Sequence, residues 1–228
     1  MSASSWKVAP KGRSRRRSRD DRSAMPAHDV EQAEISSKKP AFERLISAAT
    51  ALFWTKGVRA VGVDEIATAA GISKPTLYRK FASKDDLVAY CADRMAQEEQ
   101  RRLAEIAARH ADSPLEHIRA IITLASDALA DAQGFGWFAS NLAVELREEN
   151  HNAKAICLRQ KAHLRQELLN AATAASLTAP GLLADGLLLL LEGGSSSWHT
   201  FECGSPTSRI SAVADRLITA HYPAPDAV

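Results

Sequence analysis

A chain of 228 residues, 46% hydrophobic and 25% charged, is long enough for one large or two small domains and apolar enough to fold around a core. Its richest apolar run, Leu182 to Leu191, is broken by Asp185 and Gly186, which excludes a membrane-spanning helix, and its basic N-terminal run leads into no apolar stretch, so no secretory leader is expected. The net charge of +2 hides a gradient, with balances of +5 over residues 1–39, +4 over 40–84 and −7 over 85–228, so the front suits a polyanion and the rear does not.

Residues 1–39 have few large apolar side chains and carry a block of one lysine and five arginines from Lys11 to Arg19. This composition predicts a disordered segment, either a basic arm that reaches DNA phosphates or a minor groove, or a solvated tail. From Pro40 the pattern changes. Phe42, Leu45, Ile46, Ala49, Leu52 and Phe53 recur at helical spacing, and Gly57 stands where a helix is usually closed. A second helix is expected over about Val63–Ala70, ended by Gly71. Ser73 can cap a third, with Pro75 in its first turn, where a missing N–H costs nothing. Ser83 and Asp86 resemble a capping box, with Asp in place of Glu, opening a long helix from about Lys84 to His110. Five further helices are expected over 114–131, 135–149, 152–176, 180–201 and 207–221, separated by Gly/Pro/Ser breaks. No segment alternates as a strand would. The fold class is therefore all-α with about nine helices.

The informative stretch is Val63 to Lys84: helix, glycine turn, short helix. Ile66, Ala67, Ile72 and Leu77 can pack the pair, and Ala67 and Ala70 are small enough for close approach. In such a unit the second helix enters the major groove with its N-terminal residues facing base edges. Lys74, Thr76, Tyr78, Arg79 and Lys80 give that helix a polar, cationic face. Lys74 or Arg79 can donate to guanine, Thr76 can meet a thymine methyl, and Tyr78, Lys80 and Lys84 suit phosphates. Two packed helices with a solvated cationic face would have the same sequence.

Residues 41–90 resemble the DNA-binding domain of the TetR family of bacterial repressors. The resemblance lies in the Ala/Phe-rich first helix ending at Gly57, in Ile66-Ala67 and Ala70-Gly71-Ile72-Ser73, and in Thr76 to Phe81 followed by Ser83 to Leu87. It implies a three-helix DNA-binding domain and a divergent helical C-terminal domain, in a homodimer bound to a palindromic operator on double-stranded DNA. It also implies a bacterial, cytoplasmic repressor that a small-molecule effector, bound in the C-terminal domain, releases from DNA. By position it assigns Lys74, Pro75, Thr76, Tyr78, Arg79 and Lys80 to the recognition helix and gives Lys84 a phosphate. One departure matters: where the family often has threonines at the start of its second helix, this chain reads Gly62-Val63-Asp64. Val63 offers phosphate no hydroxyl and Asp64 repels it, so no side chain of the second helix is assigned to DNA. The expected organisation is an arm over 1–39, a DNA-binding domain over 40–86 and a ligand-binding, dimerising domain over 87–228.

Beyond residue 87 the resemblance is general. Helices 152–176 and 180–201 carry broad apolar faces, enough for a core and an interface, and the family implies that the last two helices build the dimer contact. Gly193-Gly194 and Ser195 to Ser197 permit close helix approach, whether between subunits or within one. Trp137, Phe138, Asn141 and Glu145 share one predicted helix and, with Trp198, are the candidate effector-pocket residues; a core stripe with solvated edges would look the same. Cys91, Cys157 and Cys203 form no close pair, and His117, His163 and His199 lack tight ligand spacing, so no metal site is expected and no cofactor is implied. No phosphate loop, nucleophile elbow or zinc-protease helix is present, so an enzyme is not expected.

Overall fold

The computed structural model describes residues 40–131, 138–146, 151–198 and 206–224. Among these, nine α-helices and one 3₁₀ turn account for the regular structure, and no strand occurs. They are α1 (Ala41–Lys56), α2 (Val63–Ala70), α3 (Lys74–Tyr78), α4 (Lys84–Arg109), α5 (Pro114–Asp131), α6 (Phe138–Glu145), α7 (Asn152–Ala174), α8 (Pro180–Trp198) and α9 (Ile210–Ala220), with the 3₁₀ turn at Pro206–Arg209.

The ends of the front helices are fixed by the residues the sequence singles out. Gly57 closes α1 at φ +82° and Gly71 closes α2 in the left-handed conformation at φ +62°, where a Cβ would be strained. The Ser73 hydroxyl accepts from the Thr76 N–H at 3.3 Å and caps α3. Ser83 accepts from the Asp86 N–H at 3.1 Å, while its own hydroxyl donates to the Asp86 carboxylate at 2.8 Å. The shorter Asp thus takes the serine hydroxyl, where the longer Glu of a capping box would reach back to the backbone.

Buried side chains gather into two clusters. The first joins Leu45, Ile46 and Phe53 of α1, Ile66 of α2 and Leu77 of α3 to Leu87, Val88 and Cys91 of α4, and it continues into α6 and the start of α7 through Phe138, Leu142 and Cys157. The second holds the far half of α4 against α5, α7, α8 and α9, with Ile121, Leu129, Leu168, Leu187 and Ile218 among its members. Residues 40–228 form one compact unit, and α4 runs unbroken through residues 86 and 87, the expected domain border. The apolar seam between the clusters lies farther along α4, between Ala92 and Leu103.

The adjacent glycines of α8 divide. Gly194 is buried, and a Cβ there would stand 2.5 Å from Ile210 Cδ1, so its smallness lets α9 pack on α8 within the subunit. Gly193 faces outward with Gly186, and a Cβ on either would meet nothing within 4 Å. Leu182 and Leu189, on the same helical face, are 67% and 72% exposed, and Val213 of α9 is also exposed. The result is an apolar stripe with gaps along the outside of α8 and α9. No helix among the described residues is long and apolar enough to cross a membrane.

Candidate nucleic-acid interface and adjoining cavity

The short α3 is held from inside. Leu77 is fully buried among α1, α2 and α4, and such burial stabilises by about 1.5–3 kcal/mol. Phe81, stacked on Phe42 at 6.2 Å and edge-on to Tyr90 at 5.4 Å, ties down the chain that leaves α3. Arg44 of α1 reaches the end of α2, donating from Nε to the Ala70 carbonyl at 3.0 Å and from Nη2 to that of Gly71 at 3.4 Å. A cation at a helix C-terminus meets both the dipole and the orphan carbonyls, so Arg44 fixes the angle between α2 and the turn.

With Leu77 turned inward, Lys74, Pro75, Tyr78, Arg79 and Lys80 are exposed on one side, and Thr76 and Lys84 are half-buried beside them. α3 itself ends at Tyr78, but the Arg79 N–H still bonds the Pro75 carbonyl at 3.0 Å, so Arg79 and Lys80 continue the same turn. The Thr76 hydroxyl is engaged with that of Ser73 at 2.9 Å. Lys80 Nζ lies 6.0 Å from the Phe42 ring centre. Lys74 is bound at 2.8 Å to Asp64, whose carboxylate holds the lysine above its ordinary pKa. The acid that repels phosphate is thus the partner of the lysine expected to read bases.

Behind this face lies a cavity of about 550 Å³, walled by α1, α4, α5, α6 and α7. Its walls are mostly apolar, with Trp54, Met95, Leu124 and Phe138 among them. Trp54 and Phe138 meet edge-on at 6.4 Å. One end is polar: Gln160 donates to Glu99 at 2.5 Å, and Lys161 pairs with Glu192 at 2.5 Å. Burial raises the Glu99 pKa and lowers that of Lys161, although Glu192 opposes the latter shift. Cys91 lines the cavity and Cys157 is buried nearby; burial pushes both thiols up to about 11, so both remain protonated at neutral pH.

The candidate pocket residues are dispersed. Phe138 lines the cavity. Asn141 and Glu145 line a separate hollow of about 540 Å³ with Arg59, Ser140 and Glu192. Trp137 and the side chain of Trp198 lie outside the described residues, as do residues 1–39 and Cys203. Shared helical spacing selects one face of one helix, whereas a cavity is the meeting point of several.

Glu145 has a structural task instead. Its carboxylate accepts from the Val58 N–H at 2.9 Å and the Arg59 N–H at 2.6 Å, in the turn that leaves α1. A Cβ on Gly57 would stand 3.0 Å from that carboxylate, so the glycine admits it. On the preceding turn of α6, Ser140 donates to Glu192 at 2.7 Å, the partner of Lys161. Lys161, Glu192, Ser140 and Glu145 therefore join the polar end of the cavity to the backbone of the first three helices. Neither Arg44 nor Glu145 has a local sequence signal, since their partners lie 26 and 87 residues away.

Residues 45–91 match the family model for bacterial regulatory proteins of the TetR family. Over that segment the chain is similar to the TetR family. Among curated relatives, the HTH-type transcriptional activator FasR of Mycolicibacterium smegmatis is 50% identical over 44 residues, 19% of this chain and 20% of the relative. An uncharacterised HTH-type transcriptional regulator of Mycobacterium tuberculosis is 36% identical over 105 residues, 44% of this chain and 50% of the relative. The chain thus spans half or less of the curated relatives it matches. A solved TetR-type transcriptional regulator of Streptomyces avermitilis is 28% identical with a TM-score of 0.65, covering 80% of this chain and 98% of the other. The TetR-family regulator SCO4454 of Streptomyces coelicolor shares the fold at 19% identity, with a TM-score of 0.71 over 80% of this chain and 96% of its own. All four carry the name of a transcriptional regulator or activator.

Proposed function

We propose that the protein is a DNA-binding transcriptional regulator: a homodimeric repressor that reads a palindromic operator and is released by a small-molecule effector. The observation that carries the reading is the outward face of α3, where five residues stand exposed around one buried leucine on a helix pinned by Arg44, Ser73 and Phe81. On this reading Arg79 is the principal base reader, and Thr76, its hydroxyl already engaged, presents a methyl to thymine. Tyr78, Lys80 and Lys84 bind phosphates, and Pro75 sets the first turn. Lys74 joins the base contacts when DNA draws it from Asp64.

Dimerisation through α8 and α9 follows from the stripe at Leu182, Gly186, Leu189 and Gly193, which a second copy would cover. The two recognition helices then sit about 34–36 Å apart, one turn of DNA, or somewhat more. The cavity is the effector site, and α6 carries its state to the DNA-binding face through Glu145. The basic residues of 1–39 add phosphate contacts.

Selection of bound sites from random duplex DNA by the full chain, at fixed near-physiological salt, tests the reading. A palindromic consensus is expected. Binding without any enriched motif would contradict it and leave a basic protein that holds DNA without reading it.

A further inference from the structure

Charge pairing around the cavity is uneven. Five charged side chains line it: Arg94, Glu98, Glu99, Arg102 and Lys161. Arg94 is bound to Glu43 at 2.8 Å, Arg102 to Glu98 at 2.9 Å, and Lys161 to Glu192 at 2.5 Å. Glu98 is also bound to Arg101 at 2.8 Å. Each lining cation thus already faces a carboxylate. Glu99 differs. Its one hydrogen bond among the described residues comes from a neutral amide, that of Gln160, and no described Lys, Arg or His nitrogen stands within ion-pair distance of it. Lys161 and His163 act on Glu99 only at longer range, and Glu192 opposes them.

We propose that the cavity takes an organic cation, a protonated amine on an apolar body, with its nitrogen on Glu99 and its body against Trp54 and Phe138. This inference rests on the reading of the cavity as the effector site and names the chemistry of its ligand. A half-buried carboxylate held by one amide retains acceptor capacity, and a cation beside it offsets its desolvation. The aromatic pair adds a surface that favours cations. An anionic ligand would find Lys161, the half-buried cation among the described lining residues, already on Glu192, and would meet Glu99 as a repulsive neighbour. A cavity of about 550 Å³ lies within the usual range for small-molecule sites and admits a ten-carbon chain with a head group.

Isothermal titration of the full-length protein at neutral pH with decylammonium, decanoate and 1-decanol, which share one apolar body, tests the proposal. Decylammonium is expected to bind about tenfold or more tighter than the other two. In Glu99→Gln, which keeps the size of the side chain, that preference is lost while decanol binding is unchanged, showing that the cavity is intact. Decanoate binding tightest would overturn the proposal in favour of an anion site at Lys161. Equal binding of decanol and decylammonium, or a preference that survives Glu99→Gln, would remove the role of Glu99. Binding of none of the three would instead overturn the effector reading of the cavity, and this inference with it.

Discussion

The front of the molecule, α1 to α3, and its rear, α5 with α7 to α9, are built from the same kind of amphipathic helix and are held in different ways. At the front, helices of five to sixteen residues are fixed at their ends by single residues: Gly57, Gly71, Ser73 and Arg44. At the rear, α5, α7 and α8, of 18, 23 and 19 residues, are held by broad apolar faces whose members can be exchanged for others of similar volume. A surface that must meet DNA in one register needs defined helix ends, whereas a wall around a cavity needs only to bury its face. The regions meet in α6, which contributes Phe138 and Leu142 to the front core and Glu145 to the turn after α1.

Equal truncation in both cores sharpens the contrast most. Leu77→Ala and Leu168→Ala each remove a fully buried leucine, and each is expected to cost about 2–5 kcal/mol by denaturant unfolding. Under conditions where both variants remain folded, operator binding should be lost in Leu77→Ala and retained in Leu168→Ala; equal losses would mean that the front has no separate requirement for precision. Next is the joint between the regions. Glu145→Ala leaves the Val58 and Arg59 amides without their charged acceptor, a loss of about 1.5–3 kcal/mol. Faster hydrogen exchange at those two amides and weaker operator binding are expected, with dimerisation unchanged. A variant with wild-type exchange there would show that α6 does not hold the turn.

Gly71→Ala forces a Cβ into the left-handed conformation, and a thermal melt should show roughly 1 kcal/mol of destabilisation. The smallest effect belongs to Asp64→Asn. The Lys74 pair is exposed, so stability should hardly change. Operator affinity should rise several-fold, as the lysine no longer leaves a partner to reach DNA. Unchanged affinity would mean that Lys74 takes no part.

Helix boundaries were legible because they are written locally: a glycine, a serine three residues before an acid, a proline in a first turn. The outward face of α3 was legible because Leu77 and Phe81 mark the inward one. The ties that orient α3 and join it to the rear were not, because Arg44 and Glu145 find partners that only the fold brings near. The pair Lys74–Asp64 joins residues ten apart on separate helices and escaped the same reading. For the cavity, Phe138, Asn141 and Glu145 share α6, yet Asn141 and Glu145 face another hollow. The polar pair Glu99 and Gln160 lies 61 residues apart, on α4 and α7.

Affinity of the full-length protein for its selected operator, compared with that of a Tyr78→Ala, Arg79→Ala double variant at the same salt, tests the assignment of α3 most directly. Loss of one phosphate and one base contact should weaken binding on the order of a hundredfold, with the fold and dimer intact. Equal affinity in the two proteins would place DNA recognition outside α3 and contradict the assignment.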